Sequence, residues 1–504
     1  MMRRFVAVLV LGCFAISLSL LTRRVMQAEL AVQEHSETLP VAPGSAVYLL
    51  RLDGALVGFA TISVDTSVTT VRVSDLVDLH LPEADSVRHY QLRGETLLDR
   101  ALRLRSFRYA RRVDRQRSHI EGRRVQDTLL VWQLGDSAQR APQADTTHLS
   151  SSAVTTAGTL PLGLVYSSRV RVGSRRTMFV ADPFSRRVAN NELVVVADST
   201  FVIADSARQD GASTWVPARW DSVHAWRLER RSAGVPSHLW VDDAGLPVAG
   251  ELWPGLTLER QPYEIVTAAV RDAAAKGFRM LARGPGSRQL SSAVRPLRRQ
   301  SIQFAGLDGD SAAWRRSDLA GGPQHLRGDT VVVDVSADSL RIMSQSLSGD
   351  GLVPGADPTL RALATRLSAG ETEPTRLVTR LARWTAQRLE AIDETDLPDA
   401  RRALLQRRSG AASRAAVFTA LARASGIAAR PVAGLVADGG TWRRHSWAEA
   451  WLDGRWVPVD PFLGVAPASA AYVRLVEDAP ADPMTLLPLA ARLAPSAPTR
   501  PLNP

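Results

Sequence analysis

Cysteine is almost absent. Cys13 is the only one in 504 residues, and it falls inside the N-terminal apolar segment. A single thiol excludes an intramolecular disulfide and a thiolate metal cluster, so folding rests on packing alone. Lysine is as scarce: Lys276 is the sole example, and the formal net charge of +11 is carried by arginine. An arginine bias of this kind arises from coding composition as well as from function. The basic excess is compatible with anionic surfaces such as lipid head groups or envelope polymers. No RNP, zinc-finger or helix-turn-helix signature accompanies it, so nucleic acid is not an expected partner. Internal repeats are also missing. Asp308-Gly309-Asp310 lacks the further oxygens of a calcium loop and is read as a turn.

What is present is enough for about three domains: 45% hydrophobic residues over this length can fill several cores. Residues 1–30 hold the apolar run Phe5–Leu21 between Arg3-Arg4 and Arg23-Arg24. As a helix it is about 25 Å long, near the lower limit for spanning a bilayer core. A cleaved signal peptide is the alternative. Basic residues follow the run at once and no small-x-small site occurs there, which favours a retained single-pass anchor. Residues 31–46 form a polar linker. Residues 47–264 carry many short alternating runs separated by turn signals such as Asp53-Gly54 and Asp243-Ala244-Gly245, the pattern of an antiparallel sheet or half-barrel. Within them, Arg88–Arg124 is dense in arginine, with Phe107 and Tyr109 interleaved. A solvated strand face is the plain reading, contact with an anionic envelope component the functional one. Residues 265–355 are expected to hold a connecting helix over Val266–Leu281 and a small β region. Helices over Asp357–Leu389 then lead into an α+β unit spanning 356–477, and 478–504 is an Ala/Pro-rich tail.

The densest chemistry lies between Arg407 and Gly464. Asp453-Gly454 sits between two runs rich in Trp and Val, a tight hairpin signal. With a two-residue turn, Leu452 pairs Arg455, Trp451 pairs Trp456 and Glu449 pairs Pro458. His445, Trp447 and Asp460 then point to one side of the sheet. A carboxylate within reach of an imidazole fixes its tautomer, the orienting half of a nucleophile/His/Asp constellation. Pro458 is the one residue that could insert a bulge and shift this register. Upstream, Ala415, Phe418, Leu421, Ala422 and Ile427 recur at helical spacing, and the helix is expected to begin near Ser409–Ala412. There the unpaired amides and the dipole would favour an anionic nucleophile.

FTALARASGIAAR (Phe418–Arg430), HSWAE (His445–Glu449) and DGRWVPVDP (Asp453–Pro461) together resemble a bacterial transglutaminase-like domain of the papain-like cysteine superfamily. The resemblance implies a Cys/His/Asp site and an α+β fold over the last quarter of the chain. Counting back from Phe418, the family's Gly-Asp-Cys falls on Ser409, Gly410 and Ala411, so the cysteine position is occupied by Ala411. Ser413 lies about 200° around the helix and faces away. Ser409 is expected to cap the helix rather than react. His445 and Asp460 are then a vestigial pair. Trp447, Glu449, Trp451 and Trp456 are read as packing residues, with Glu449 pairing Arg455 or a loop arginine. No third ligand converges on His445 and Asp460, so neither a metal nor a cofactor is expected.

The fold expected is therefore α+β: a transmembrane helix, a β-rich domain and a transglutaminase-like domain. By analogy with similar anchored proteins the body of the chain would lie outside the cytoplasm, periplasmic or at the cell surface. The expected function is binding of protein or peptide segments at the envelope. The alternative is an active amidase, protease or acyltransferase with a non-cysteine nucleophile.

Overall fold

A computed structural model describes residues 39–278, 297–305, 319–336, 357–392, 399–477 and 494–495, with short interruptions inside these stretches. The anchor expected over residues 1–30 and the Asp308–Asp310 turn lie outside the described residues. Among the described residues no helix is long and apolar enough to cross a membrane.

One 15-stranded sheet dominates the N-terminal half. Strands β1 (Gly44–Leu52) to β8 (Gln143–His148) form an up-and-down meander, and β9 (Val154–Thr156) to β15 (Leu256–Arg260) form the other wing. The wings join where β1 pairs antiparallel with β15. The sheet curls on itself: Thr96 Oγ1 lies 3.2 Å from Thr156 Oγ1 of β9, and one apolar cluster draws on both wings, from Leu50 and Trp132 to Val154 and Ala181. Turn chemistry sets the register. Asp53 and Gly54 both have positive φ (47° and 82°), as a two-residue primed hairpin turn requires.

The arginine-rich stretch resolves by period two. In β5 (Leu104–Val113), Phe107, Tyr109 and Val113 are buried while Arg105 and Arg108 are exposed. Phe107 packs against Tyr109 and Trp132 at ring-centroid distances of 5.8 and 5.4 Å. The interleaved aromatics are core and Arg105 and Arg108 lie on the solvated face, whereas Arg111 shares the inward face with Phe107 and Tyr109 and is buried.

After a short helix, α1 (Leu160–Ser167), the helix expected over Val266–Leu281 appears as α2 (Tyr263–Ala275). It is shorter than expected because Gly277, at φ 68°, and Phe278, at φ 48°, turn the chain well before the glycines at 284 and 286. It packs against β1, β2 (Ala55–Thr66) and β12 (Trp215–Arg231).

The C-terminal unit is built around one helix. After α3 (Pro358–Ser368), α4 (Pro374–Arg388) and α5 (Ala400–Gln406) comes α6 (Ala411–Ala424), buried from Ser413 to Arg423. A helix covered on all sides belongs in a core, and α3, α4 and α5 pack around it with Leu360, Leu377, Leu381 and Phe418 in one cluster. Beside it lies a four-stranded sheet in which β22 (Thr441–Leu452) is flanked by β23 (Arg455–Val459) and β21 (Ala429–Asp438), with β24 (Tyr472–Glu477) outside β21. Leu452 pairs Arg455, Trp451 pairs Trp456 and Glu449 pairs Pro458, with no bulge at Pro458. A buried ion pair, Arg186 Nη2 to Asp399 Oδ2 at 2.6 Å, ties the N-terminal sheet to the cap of α5.

Candidate functional site

His445 lies on β22 and Asp460 follows the end of β23. His445 and Trp447 pair across the ladder with Gly434 and Val432 of β21, and Trp447 packs in one cluster with Val432 and Val436. Asp460 accepts from the ring: Nε2 to Oδ2 is 3.0 Å, and both side chains are at most 5% exposed. With Nε2–H spent on the carboxylate, Nδ1 is the nitrogen left with a lone pair.

The carboxylate is held from every side. Tyr472 Oη donates to Oδ2 at 2.6 Å, and the backbone N–H groups of Phe462 and Leu463 donate to Oδ1 at 2.8 and 3.2 Å. Burial alone would raise the Asp460 pKa. The neighbouring His445, together with hydrogen bonds from His445, Tyr472 and Leu463, outweighs it and holds the carboxyl below the usual carboxylate range. The same contact works in reverse on Tyr472, whose phenol is pushed far above its ordinary value by burial and the Asp460 charge. Rings enclose the imidazole: Phe462 edge-on at 5.8 Å, Tyr472 at 6.1 Å and Trp447 nearly parallel at 6.4 Å.

Ala411 is the first residue of α6 and is partly exposed. The residue before it, Gly410, is the N-cap, and no side chain caps the helix. Ser409, the expected cap, sits instead in a two-residue bridge with Ala391. Its buried Oγ has no hydrogen-bond partner among the described residues, because glycine rather than serine occupies the cap position. Ser413 Oγ is spoken for: it accepts from the backbone N–H of Asp399 at 3.0 Å. The start of α6 reaches the His445 ring through Arg414, one turn on from Ala411. Its guanidinium donates to Phe462 O at 3.0 Å and stacks 4.7 Å from the Phe462 ring centroid.

Glu449 does not pair with Arg455, which reaches Ser336 O. Its carboxylate is taken by Arg430 Nη2 at 2.6 Å and Arg474 Nη1 at 2.8 Å. Those two guanidiniums hold its pKa down against complete burial. Arg474 also donates to Gly321 O at 2.8 Å, so the cluster fastens the loop before β17 (Gln324–Arg327) to the core. Trp447 and Trp456 are buried core aromatics and the half-buried Trp451 packs edge-on against Trp456, although Trp447 Nε1 has no hydrogen-bond partner among the described residues.

Three residues of the site were missed from the sequence, two of them with no flag in the pattern. Tyr472 arrives through the β21–β24 pairing, and Arg414 through helix packing. Phe462 had a local signal, since an Asp followed two residues on by an available N–H is an Asx turn.

The family model of the transglutaminase-like superfamily matches residues 361–461. No curated protein matches the chain. Among solved structures, the chain is similar to a β-barrel-like protein of a domain of unknown function from Brucella abortus. There the identity is 13% over 44% of this chain and 95% of that one, with a TM-score of 0.31. A candidate cysteine protease from Cytophaga hutchinsonii is 14% identical over 61% of this chain and 77% of that one, at a TM-score of 0.25. A candidate protease from Parabacteroides distasonis is 9% identical over 68% and 63%, at 0.17. Residues 361–461, which span the α6 core and the His445–Asp460 hairpin, are a domain of the transglutaminase-like superfamily.

Proposed function

We propose that this chain is an envelope protein, anchored by its N-terminal apolar run, whose transglutaminase-like domain has lost its nucleophile and works by binding protein or peptide segments. One observation carries the reading. The first residue of α6 is an alanine with no reactive atom, while the His445–Asp460 pair keeps its hydrogen bond and the support of Tyr472. Deleting the nucleophile of a hydrolase costs on the order of a millionfold in turnover. An oriented imidazole that keeps its aromatic surroundings after such a loss supports retention of the site for recognition rather than turnover. The outward arginines of β5 supply a basic face compatible with an anionic envelope component.

A second reading has one observation in its favour. Ser409 Oγ, two residues before Ala411, is buried with no hydrogen-bond partner among the described residues, which leaves its hydroxyl uncommitted. Amide hydrolysis and amine incorporation, assayed on peptide substrates with His445→Ala as control, separate the two. The binding reading expects no turnover above that of the control, and a peptide array bound by the parent chain. Turnover abolished by His445→Ala would replace it with the enzyme reading.

A further inference from the structure

Far from that site, the N-terminal sheet brings two histidines and an aspartate to one spot. Asp78 and His80 are two apart on β3 (Thr70–Glu83) and so share a face. On β4 (Ser86–Asp99), His89 lies directly opposite His80, and Gln91 directly opposite Asp78. The four side chains make a two-by-two block. His89 Nε2 is 3.0 Å from Asp78 Oδ1 and His80 Nδ1 is 3.7 Å from the same oxygen. The three possible donor atoms all lie within 4.8 Å of one another.

Two features distinguish this block from an ordinary surface cluster. His80 Nδ1 is shielded from solvent and has no hydrogen-bond partner among the described residues, while a carboxylate oxygen stands just beyond bonding reach. The surroundings are also fixed in the way that metal ligands need. Gln91 Nε2 donates to the other carboxylate oxygen, Oδ2, at 2.9 Å. The His89 backbone N–H donates to Asp114 Oδ1 at 3.1 Å, and the Asp114 N–H returns to His89 O at 2.9 Å. Phe278, from the turn that ends α2, stacks on His80 at 4.1 Å and 10°, and His80 in turn stacks on His89 at 4.4 Å and 12°. Two imidazoles stacked on each other beside one carboxylate are hard to account for by packing alone, since neither ring buries fully. Their side chains remain 25% and 30% exposed, which leaves a path for entry.

We infer that Asp78, His80 and His89 form a binding site for a divalent first-row transition cation, held by two imidazole nitrogens and one carboxylate oxygen with the fourth position open to water. Imidazole with carboxylate suits zinc, copper and nickel rather than calcium or magnesium. Ligand bonds of ~2.0–2.1 Å to a tetrahedral ion place donors roughly 3.3 Å apart. Closing from the separations seen here takes a splaying of the two stacked rings, which their exposed edges permit. Phe278 limits the movement of His80, so His89 is the ring expected to turn. Asp78, oriented by Gln91, supplies the charge.

The test is titration of the purified, untagged full chain with Zn²⁺, followed by calorimetry, and with Cu²⁺, followed by electron paramagnetic resonance. One equivalent of Zn²⁺ should bind. His89→Ala and Asp78→Asn should each lose that binding, and Gln91→Ala should weaken it by about 10–100-fold. His224→Ala, at a half-buried histidine beside Asp243 elsewhere on the sheet, should leave it unchanged. His80→Phe keeps the stack on Phe278 and so guards against a folding defect; its Cu²⁺ spectrum should show one coupled nitrogen where the parent shows two. Absence of a stoichiometric site in the parent would overturn the assignment. So would equal affinity in His89→Ala, or an unchanged nitrogen coupling in His80→Phe.

Discussion

Placing a thiol at the start of α6 tests the proposed register directly. Ala411→Cys adds one sulfur at a partly exposed first helical position, beside an uncapped helix terminus. An ordinary thiol with a pKa of ~8.5 is about 3% ionised at pH 7, and helix N-termini and neighbouring histidines bring such values to roughly 3.5–7.5. Take a value of about 5.5. At pH 7 the thiolate fraction rises some thirtyfold, but intrinsic nucleophilicity falls with pKa at a Brønsted slope of ~0.4–0.5, which over three units removes roughly the same factor. The rate at neutral pH therefore hardly discriminates. At pH 5.5 the depressed thiol is about half ionised against about 0.1% for an ordinary one, and a net advantage of roughly twentyfold survives. The measurement is the pH–rate profile of Ala411→Cys, in a Cys13→Ser background, with an aromatic disulfide reagent. The expected midpoint lies below about 7 and moves up in the double variant with His445→Ala. A midpoint at or above 8.5, indifferent to His445, would refute the alignment that puts Ala411 in the nucleophile's place.

Other perturbations probe the supporting structure. Asp75 lies across from Gly94, where an added Cβ would come within 2.3 Å of its carboxylate, and burial raises its pKa to about 6. A carboxyl held above its unfolded value of ~3.8 gives stability that is complete below that value and lost as pH rises to 6. Asp75→Asn should therefore stabilise the chain at pH 7 by at most about 3 kcal/mol and by nothing near pH 3, read from urea midpoints. Asp460 has the opposite sign. Its lowered pKa means that stability present above ~3.9 is lost as pH falls through the folded value, so the deficit of Asp460→Asn should shrink on acidification in the same experiment. Ser409→Ala removes an unpartnered buried hydroxyl and should raise stability by ~1 kcal/mol, whereas a fall would mean that Ser409 has a partner. Arg474→Met leaves the buried Glu449 carboxylate with one guanidinium and should cost about 3–5 kcal/mol by denaturant melt.

Local rules were enough for much of this molecule. The Asp453-Gly454 turn needs two positive φ angles in succession, and side chains repeat every second residue along a strand, so the pairing of Trp451 with Trp456 and the approach of His445 to Asp460 followed from spacing alone. The same period separated Phe107 and Tyr109 from Arg105 and Arg108, although Arg111 falls on the aromatic face and is buried with it. The start of α6 at Ala411 falls inside the Ser409–Ala412 window expected from the helical spacing of Ala415, Phe418, Leu421 and Ala422. What spacing does not encode is which distant strand arrives beside a given one. The β1–β15 seam joins residues about 200 apart and turns two meanders into one sheet. Tyr472 reaches Asp460, and Arg474 rather than Arg455 reaches Glu449, only because β24 lies against β21. The grouping of Asp78, His80 and His89 depends on the β3–β4 register, in which His80 lies opposite His89 and Asp78 opposite Gln91. Periodicity is a property of neighbours along the chain, whereas burial of a charge is decided by whatever the whole fold packs against it.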